Sequence, residues 1–339
     1  MNKIVSVAPM MAWTDKHCRH LHRLYSPSAL LFTEMITTGA LLHGEQLQLL
    51  DYDASQHPLA IQLGGNEPAA MAACAALAAE RDYDEININA GCPSDRVQKG
   101  TFGACLMREP ERVAACIRAM RDVTQLPITV KCRTGLMVPA IQEDFTSDTF
   151  LHDFVGHVLE AGCDRLYLHA RIAVLGGLTP AQNRDVPPLT PEKGKRLKHL
   201  FPSLPLVLNG GLTEVVQCEA AMAWADGVML GRAAYHQPRL LSRLEQVFFD
   251  PTFSTTEDQI VASYLTYVHD QLERGTPLAS MTKHLLHCFN GRPGARRFRQ
   301  VLSDHARLRL NDTSIIDDAL HQINHHGADD YARQSTAVV

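Results

Sequence analysis

Cys92 stands in a Gly91-Cys92-Pro93 turn directly after the apolar segment Glu85–Asn89. A thiol in a loop at the end of a strand faces whatever lies over that end, where it can serve as an acid or a nucleophile. Lys131 and Gln62 close two other apolar segments. A cation beside an amide suits a flat heterocycle bearing carbonyl groups; an ion pair of Lys131 with Glu34 or Glu85 is the alternative. Asn209-Gly210-Gly211 and Gly231-Arg232 close two more. Glycine there lets backbone N–H groups come close to an anion, and Arg232 adds a charged fork, so the two motifs together read as a phosphate site.

The elements that would position these residues recur at regular intervals. Short apolar or β-branched runs lie at Ile4–Val7, Leu30–Phe32, Leu59–Gln62, Glu85–Asn89, Ile128–Lys131, Arg165–His169, Leu206–Asn209 and Gly227–Leu230. Helix-like stretches separate them, among them Pro68–Arg81, Pro110–Val123, Thr146–Ala161 and Pro191–Leu200. Strands alternating with helices imply right-handed βαβ units and a parallel sheet. Eight such units predict an α/β fold, a (β/α)8 TIM barrel over residues 1–245, whose strand ends converge on one face. An open doubly wound sheet is the alternative, but no G-x-G-x-x-G follows any strand. From Phe249 the pattern is helical only: Glu257–Arg274, Pro277–Asn290, Pro293–Ala306 and Thr313–Asn324, a C-terminal helical domain over residues 252–330 behind a linker near Asp250-Pro251. Residues Ala332–Val339 are expected to fray.

Composition narrows the class. With 339 residues, 45% hydrophobic and 20% charged, the chain is neither collagen-like nor disordered. Its apolar runs, such as Ala69–Ala79, fall short of the ~18 residues of a membrane-spanning helix. The apolar start Ile4–Trp13 contains Pro9 and reads as a strand instead of a signal peptide. Nine cysteines with no C-x-x-C pair point to a reducing, cytoplasmic setting. The 17 histidines include His17/His20, His284/His287 and His321/His325 at helical spacing, but without H-E-x-x-H or a Cys/His cluster they read as surface or interface residues, and no metal is expected. Net charge is −5, yet Met281–Leu310 carries seven Lys/Arg against Asp304 alone, a local +6. Such asymmetry marks a patch for a polyanion, with a solvated helix face as the alternative.

Taken together the motifs resemble the tRNA-dihydrouridine synthases, flavoenzymes with an FMN-binding barrel and a helical C-terminal domain. The resemblance runs through Val7-Ala8-Pro9-Met10-Met11, Phe32-Thr33-Glu34-Met35, Gln62-Leu63-Gly64-Gly65 and Asn89-Ala90-Gly91-Cys92-Pro93-Ser94. It continues through Val130-Lys131-Cys132-Arg133, His169-Ala170-Arg171, Asn209-Gly210-Gly211 and Asp226–Arg232. Gly100–Met107, Asn183-Arg184 with Pro187-Pro188-Leu189, and Pro293–Arg297 are similar to the bacterial A subgroup, which modifies D-loop uridines at tRNA positions 20 and 20a. Ala12 departs from the Asp usual in that subgroup, and the stretch Gly135–Asp148 is longer than usual.

The resemblance implies FMN as cofactor, NADPH as reductant and tRNA as substrate; the sequence leaves the oligomeric state open, with a monomer expected, and neither metal nor membrane is expected. It implies that Pro9, Met10 and Met11 line the flavin, that Gln62 and Lys131 bond its pyrimidine edge, and that His169 contacts its side. Asn209, Gly210, Gly211, Gly231 and Arg232 would hold the phosphate. Cys92 would be the general acid, giving a proton to uracil C5 after hydride reaches C6. Asn89 and Arg171 would orient the target base, and Arg184, Arg296 and Arg299 would hold tRNA. Two other functions remain open to the sequence. A dihydroorotate dehydrogenase-like barrel acting on free pyrimidines leaves the basic tail unexplained, and a non-catalytic tRNA-binding protein leaves the strand-end motifs idle.

Overall fold

The computed structural model describes residues 3–44, 46–94 and 101–323. Gly100, Asn324, His325 and the end expected to fray at Ala332–Val339 lie outside the described residues. Among the described residues eleven strands follow in chain order: β1 Ile4–Val7, β2 Leu31–Thr37, β3 Leu59–Gly64, β4 Glu85–Ala90, β5 Ile128–Arg133, β6 Leu136–Val138, β7 Glu143–Phe145, β8 Arg165–His169, β9 Ala173–Val174, β10 Leu206–Asn209 and β11 Gly227–Leu230. Eight of them form one parallel sheet in the order β1-β11-β10-β8-β5-β4-β3-β2. Its two ends meet. Leu30 N–H donates to Val5 O at 2.9 Å and Val7 N–H to Leu30 O at 3.0 Å, so the sheet closes into the barrel expected from the eightfold pattern.

The helices between strands start where the sequence signals them. Pro opens Pro68–Glu80, Pro110–Arg121 and Pro191–Leu200, where its missing N–H has no intrahelical partner to lose. Ser147 caps Asp148–Glu160 by accepting from Phe150 N–H at 3.1 Å. Strands β3, β4, β10 and β11 are buried along their whole length, as a sheet covered on both faces requires. The longer stretch after β5 is a hairpin: β6 and β7 pair antiparallel, and β9 adds parallel to β6. Strand β2 runs past Phe32 through a bulge that carries Thr33 and Glu34.

Contacts divide the chain into two compact units, the residues up to Lys16 with Ser28–Gly231, and His17–Pro27 with everything from Arg232 onward. This division differs from the boundary expected near residue 250. Helix Arg239–Phe248 and the helix Lys16–Tyr25 beyond its first residue belong with the tail, because their polar groups are satisfied there. Ser242 Oγ donates to Tyr25 O at 2.9 Å, Ser26 Oγ donates to Glu245, and Tyr264 OH donates to His17 O at 3.3 Å.

The second unit is helical throughout its described part. Thr256 and Gln259 form a capping box at the start of Glu257–Glu273. The expected helix at 277–290 is instead Leu278–Thr282 followed by a 3₁₀ turn Lys283–His287, and the next is only Ala295–Val301, opening at Gly294 in the left-handed region. Residues 314–323 are helical. Of the histidines expected at a surface or an interface, His321 is exposed, His20 and His287 are half-buried, and His17 and His284 are buried. His22 is buried as well, and His17 Nδ1 lies 2.8 Å from Tyr267 OH while His20 stacks on the same ring at 3.9 Å between centroids.

Candidate active site

The polar residues of β3, β4 and β5 alternate along their strands, so all face the same side as their neighbours in register: Gln62 opposite Asn87, Asn87 opposite Thr129, Asn89 opposite Lys131. Asn89 ends β4 and folds its side chain over the turn that follows. Its Oδ1 accepts from Gly91 N–H at 3.1 Å and Cys92 N–H at 3.0 Å, fixing the Cys92 turn to the strand. Its Nδ2 donates to Gln62 Oε1 at 2.9 Å and lies 3.2 Å from Met35 Sδ. Three expected site residues, Gln62, Asn89 and Cys92, are thus one bonded unit. The Cys92 thiol is half-buried, 3.7 Å from Ser94 Oγ, and Cys92 O accepts from Ala104 N–H at 2.9 Å.

Lys131 has neither of the carboxylates offered to it. Glu85 is bonded to Arg165, Tyr167 and Thr129, and Glu34 reaches from the β2 bulge to accept from Ala12 N–H. Among the described residues Lys131 makes no ion pair. Burial, with Arg133 adding repulsion, pulls its pKa down to about 8. Arg133, two residues on, is buried and donates to three main-chain carbonyls: Gly91 O at 2.9 Å, Ile172 O at 2.9 Å and Asn183 O at 3.0 Å. It ties the Cys92 turn to the loop that carries Arg184. Sequence reasoning assigned Arg133 no role, although the alternation Thr129-Val130-Lys131-Cys132-Arg133 carries the signal.

His169 ends β8 beneath this set. Burial first, and then Arg133, Lys131, Arg171 and Arg184, hold its pKa well below the ordinary imidazole value. Four cations acting on one neutral imidazole, with no carboxylate among them, make a region suited to an anion or to a group that becomes one. Arg171 is tied back to the following loop through Asp185 O and Pro187 O, and Arg184 is exposed on the 3₁₀ turn Gln182–Arg184.

At the other side of the mouth, Asn209 Nδ2 donates to Met229 O at 2.7 Å, binding β10 to β11 below the glycines. Gly210 has φ +109° and a Cβ there would come 2.8 Å from His169 Cδ2; at Gly211, with φ +73°, a Cβ would come 2.4 Å from Leu189 Cδ1. A Cβ on Gly231 would meet nothing within 4 Å. The N–H groups of Gly210 and Gly211 have no partner among the described residues, so this turn has donors free for a phosphate. Beyond β1, Met10 O accepts from Trp13 and Thr14 N–H, and Met10 N–H donates to Thr14 Oγ1 at 2.9 Å. This turn leaves Pro9 and Met10 half-buried and Met11 63% exposed, an apolar ledge open to a ring. The barrel mouth therefore offers two things a flavin needs, a turn with N–H donors for an anion and an amide–cation edge.

Arg232 is the first residue of the second unit, in helix Arg232–His236. Within that unit the basic cluster is not uniform. Arg296 and Arg297 are exposed, while Arg299 donates to Asn290 Oδ1 at 2.9 Å. Arg307 is bound to Asp312 and Asp318, both at 2.7 Å. No described helix is long and apolar enough to cross a membrane.

A family model described as dihydrouridine synthase matches residues 6–324. A tRNA-dihydrouridine(20/20a) synthase of Pseudomonas putida is 48% identical over 93% of this chain and 92% of its own length. Enzymes of the same description from Xanthomonas campestris and Vibrio cholerae are 47% and 44% identical, over 98% and 94% of this chain and 96% of each relative. Among solved structures, morphinone reductase in complex with tetrahydroNAD superposes with a TM-score of 0.53 at 12% identity, over 72% of this chain and 86% of that one. A complex of 2-naphthoyl-CoA reductase gives the same score and identity over 71% of this chain, which spans about half (49%) of that larger protein. At such low identity these two structures speak to the barrel fold alone.

Proposed function

The chain belongs to the dihydrouridine synthase family, and we propose that it reduces the C5=C6 bond of D-loop uridines at positions 20 and 20a of tRNA, with FMN as resident cofactor and NADPH as reductant. One observation carries the reading: Asn89 locks the Cys92 turn to Gln62 on the arc of the barrel mouth that also holds Lys131. A bound flavin would supply the hydride that C6 of the base receives, with NADPH as its source.

The remaining work falls to the protein. Uracil is enclosed in folded tRNA and must be extruded into the mouth, at roughly a few kcal/mol. Asn89 keeps one amide hydrogen pointed only at a thioether, the weakest of its contacts, and this hydrogen with Arg171 orients the uracil carbonyls. Gln62 and Lys131 would meet the pyrimidine edge of the cofactor, the turn Asn209–Gly211 with Gly231 would take its phosphate, and Pro9, Met10, Met11 and His169 would flank it. Addition at C6 leaves charge on C5 and O4. Cys92 Sγ–H gives its proton to C5, and Lys131 and Arg133 hold the field positive while the charge exists. Arg184, Arg296 and Arg299 neutralise tRNA phosphates. No disulfide joins any of the nine cysteines, in keeping with a cytoplasmic enzyme.

The test is to incubate the purified protein with NADPH and tRNA from a strain lacking the gene, then map nucleosides by mass spectrometry. Gain of two hydrogens on uridines 20 and 20a, with free uracil left untouched, is the expected result. Reduction of free pyrimidine in place of tRNA, or recovery of no flavin after heat release, would overturn the reading.

A further inference from the structure

Below the mouth, a line of buried polar side chains runs down the inside of the barrel from the Cys92 turn. Gln62, Asn87, Thr129 and Glu85 are each at most 2% exposed, so bulk water does not reach them and each needs a partner inside the barrel. Gly91 and Cys92 N–H donate to Asn89 Oδ1, and Asn89 Nδ2 donates to Gln62 Oε1. Gln62 Nε2 donates to Asn87 Oδ1 at 2.8 Å and Asn87 Nδ2 to Thr129 Oγ1 at 2.8 Å. Thr129 Oγ1–H donates to Glu85 Oε1 at 2.7 Å. Every donor points the same way.

Both ends force that direction. Backbone N–H groups only donate, so Asn89 must offer them its oxygen. At the lower end the single Thr129 proton has acceptors on β4, Glu85 Oε1, whose carboxylate Arg165 and Tyr167 favour against its burial, and Ile86 O at 3.4 Å. Thr129 then has only lone pairs to show Asn87, Asn87 only its oxygen to show Gln62, and Gln62 only its oxygen to show Asn89. We infer that Asn87 and Thr129 are positioning residues, which touch no ligand but set which way the Gln62 and Asn89 amides face and so which atoms meet the cofactor and the base. The inference rests on the flavin reading above for what Gln62 meets, and on hydrogen-bond chemistry alone for the direction.

Thr129→Val keeps the shape and removes the hydroxyl. Asn87 Nδ2 then loses its acceptor, and any amide flip that rescues it sets two NH2 groups face to face higher up. The protein, stripped of its flavin, is titrated with FMN, and the visible spectrum of the complex is recorded beside tRNA turnover. Thr129→Val weakens FMN binding on the order of tenfold, shifts the flavin absorbance and lowers kcat with KM for tRNA unchanged, and Thr129→Ser restores all three. Wild-type affinity, spectrum and turnover in a folded Thr129→Val protein would overturn the inference. Should that variant not fold, neutron diffraction of the wild-type protein reads the direction: Gln62 Nε2 deuterons toward Asn87 support it, and the flipped amide overturns it. Failure of the wild-type protein to bind FMN would instead strike the functional reading.

Discussion

Two halves of one barrel lining differ in kind. On the arc of β10, β11, β1 and β2 the interior is Val207, Met229, Ala8, Leu30 and Phe32, closed off by Ala60. On the arc of β3, β4 and β5 it is Gln62, Glu85, Asn87, Asn89, Thr129 and Lys131. Tyr167 joins them, its ring packed edge-on to Phe32 at 5.1 Å and its hydroxyl donating to Glu85 at 3.1 Å. The apolar half is held by packing, which is tolerant of direction. The polar half is held by hydrogen bonds, which are not, and Gln62, Asn89, Lys131 and the Cys92 turn stand on it. A barrel can thus gather stability on one arc and orientation on the other.

The contrast is broken most severely from the apolar side. Phe32→Ala leaves a cavity against Tyr167 that neighbouring strands cannot collapse into, and should cost about 3–5 kcal/mol of unfolding free energy in a denaturant titration. A loss under about 1 kcal/mol would show that this half is loosely packed.

The polar half responds to pH instead. The folded protein holds Lys131 at a pKa of about 8 against its ordinary 10.5, so below 8 it carries a charge that burial penalises. Between those two values the unfolded chain binds more protons, and stability from this group rises with pH. Lys131→Met should therefore stabilise the flavin-free protein by about 2 kcal/mol at neutral pH. The gain should shrink as pH climbs from 8 to 10.5. A gain constant across that window would place Lys131 in an ordinary aqueous setting.

In the helical unit the comparison is between a free and a committed arginine. Arg296→Ala should weaken tRNA binding several-fold and reduce the salt slope by about one, while Arg307→Ala, already neutralised by Asp312 and Asp318, leaves the slope unchanged. Equal slopes in both variants would return the cluster to a solvated face. The smallest effect belongs to Ala12, which sits at φ 64° in the β1 turn where glycine is at ease. Ala12→Gly should raise stability by about 0.5 kcal/mol, read from the thermal midpoint.

The barrel was legible in the sequence because apolar runs at strand spacing need no partner to be recognised, and β1, β8, β10 and β11 begin and end where the pattern does. The site was legible at strand ends, where Cys92, Asn89, Lys131 and Gln62 interrupt apolar runs. What escaped was the lower polar chain. Asn87, Thr129 and Glu85 also alternate with apolar residues, but their meaning lies in contacts between strands, and a register is not visible in one segment. Arg133 escaped for the same reason, since its three partners are main-chain carbonyls from two distant loops. The tail misled in length: of the expected helix 277–290 only Leu278–Thr282 is α-helical before 3₁₀ geometry takes over at Lys283, and of 293–306 only Ala295–Val301 follows the left-handed Gly294 that opens it.

The central claim is that the Cys92 thiol, held by Asn89 on the polar arc, supplies the proton that completes uridine reduction. Single-turnover reoxidation of the NADPH-reduced protein by tRNA, followed at the flavin absorbance in a stopped-flow instrument, addresses it directly. Cys92→Ala should keep its flavin and its reduction by NADPH, and reoxidation by tRNA should slow by about 10²–10⁴. A rate within about threefold of wild type would assign the proton to another group and contradict the account.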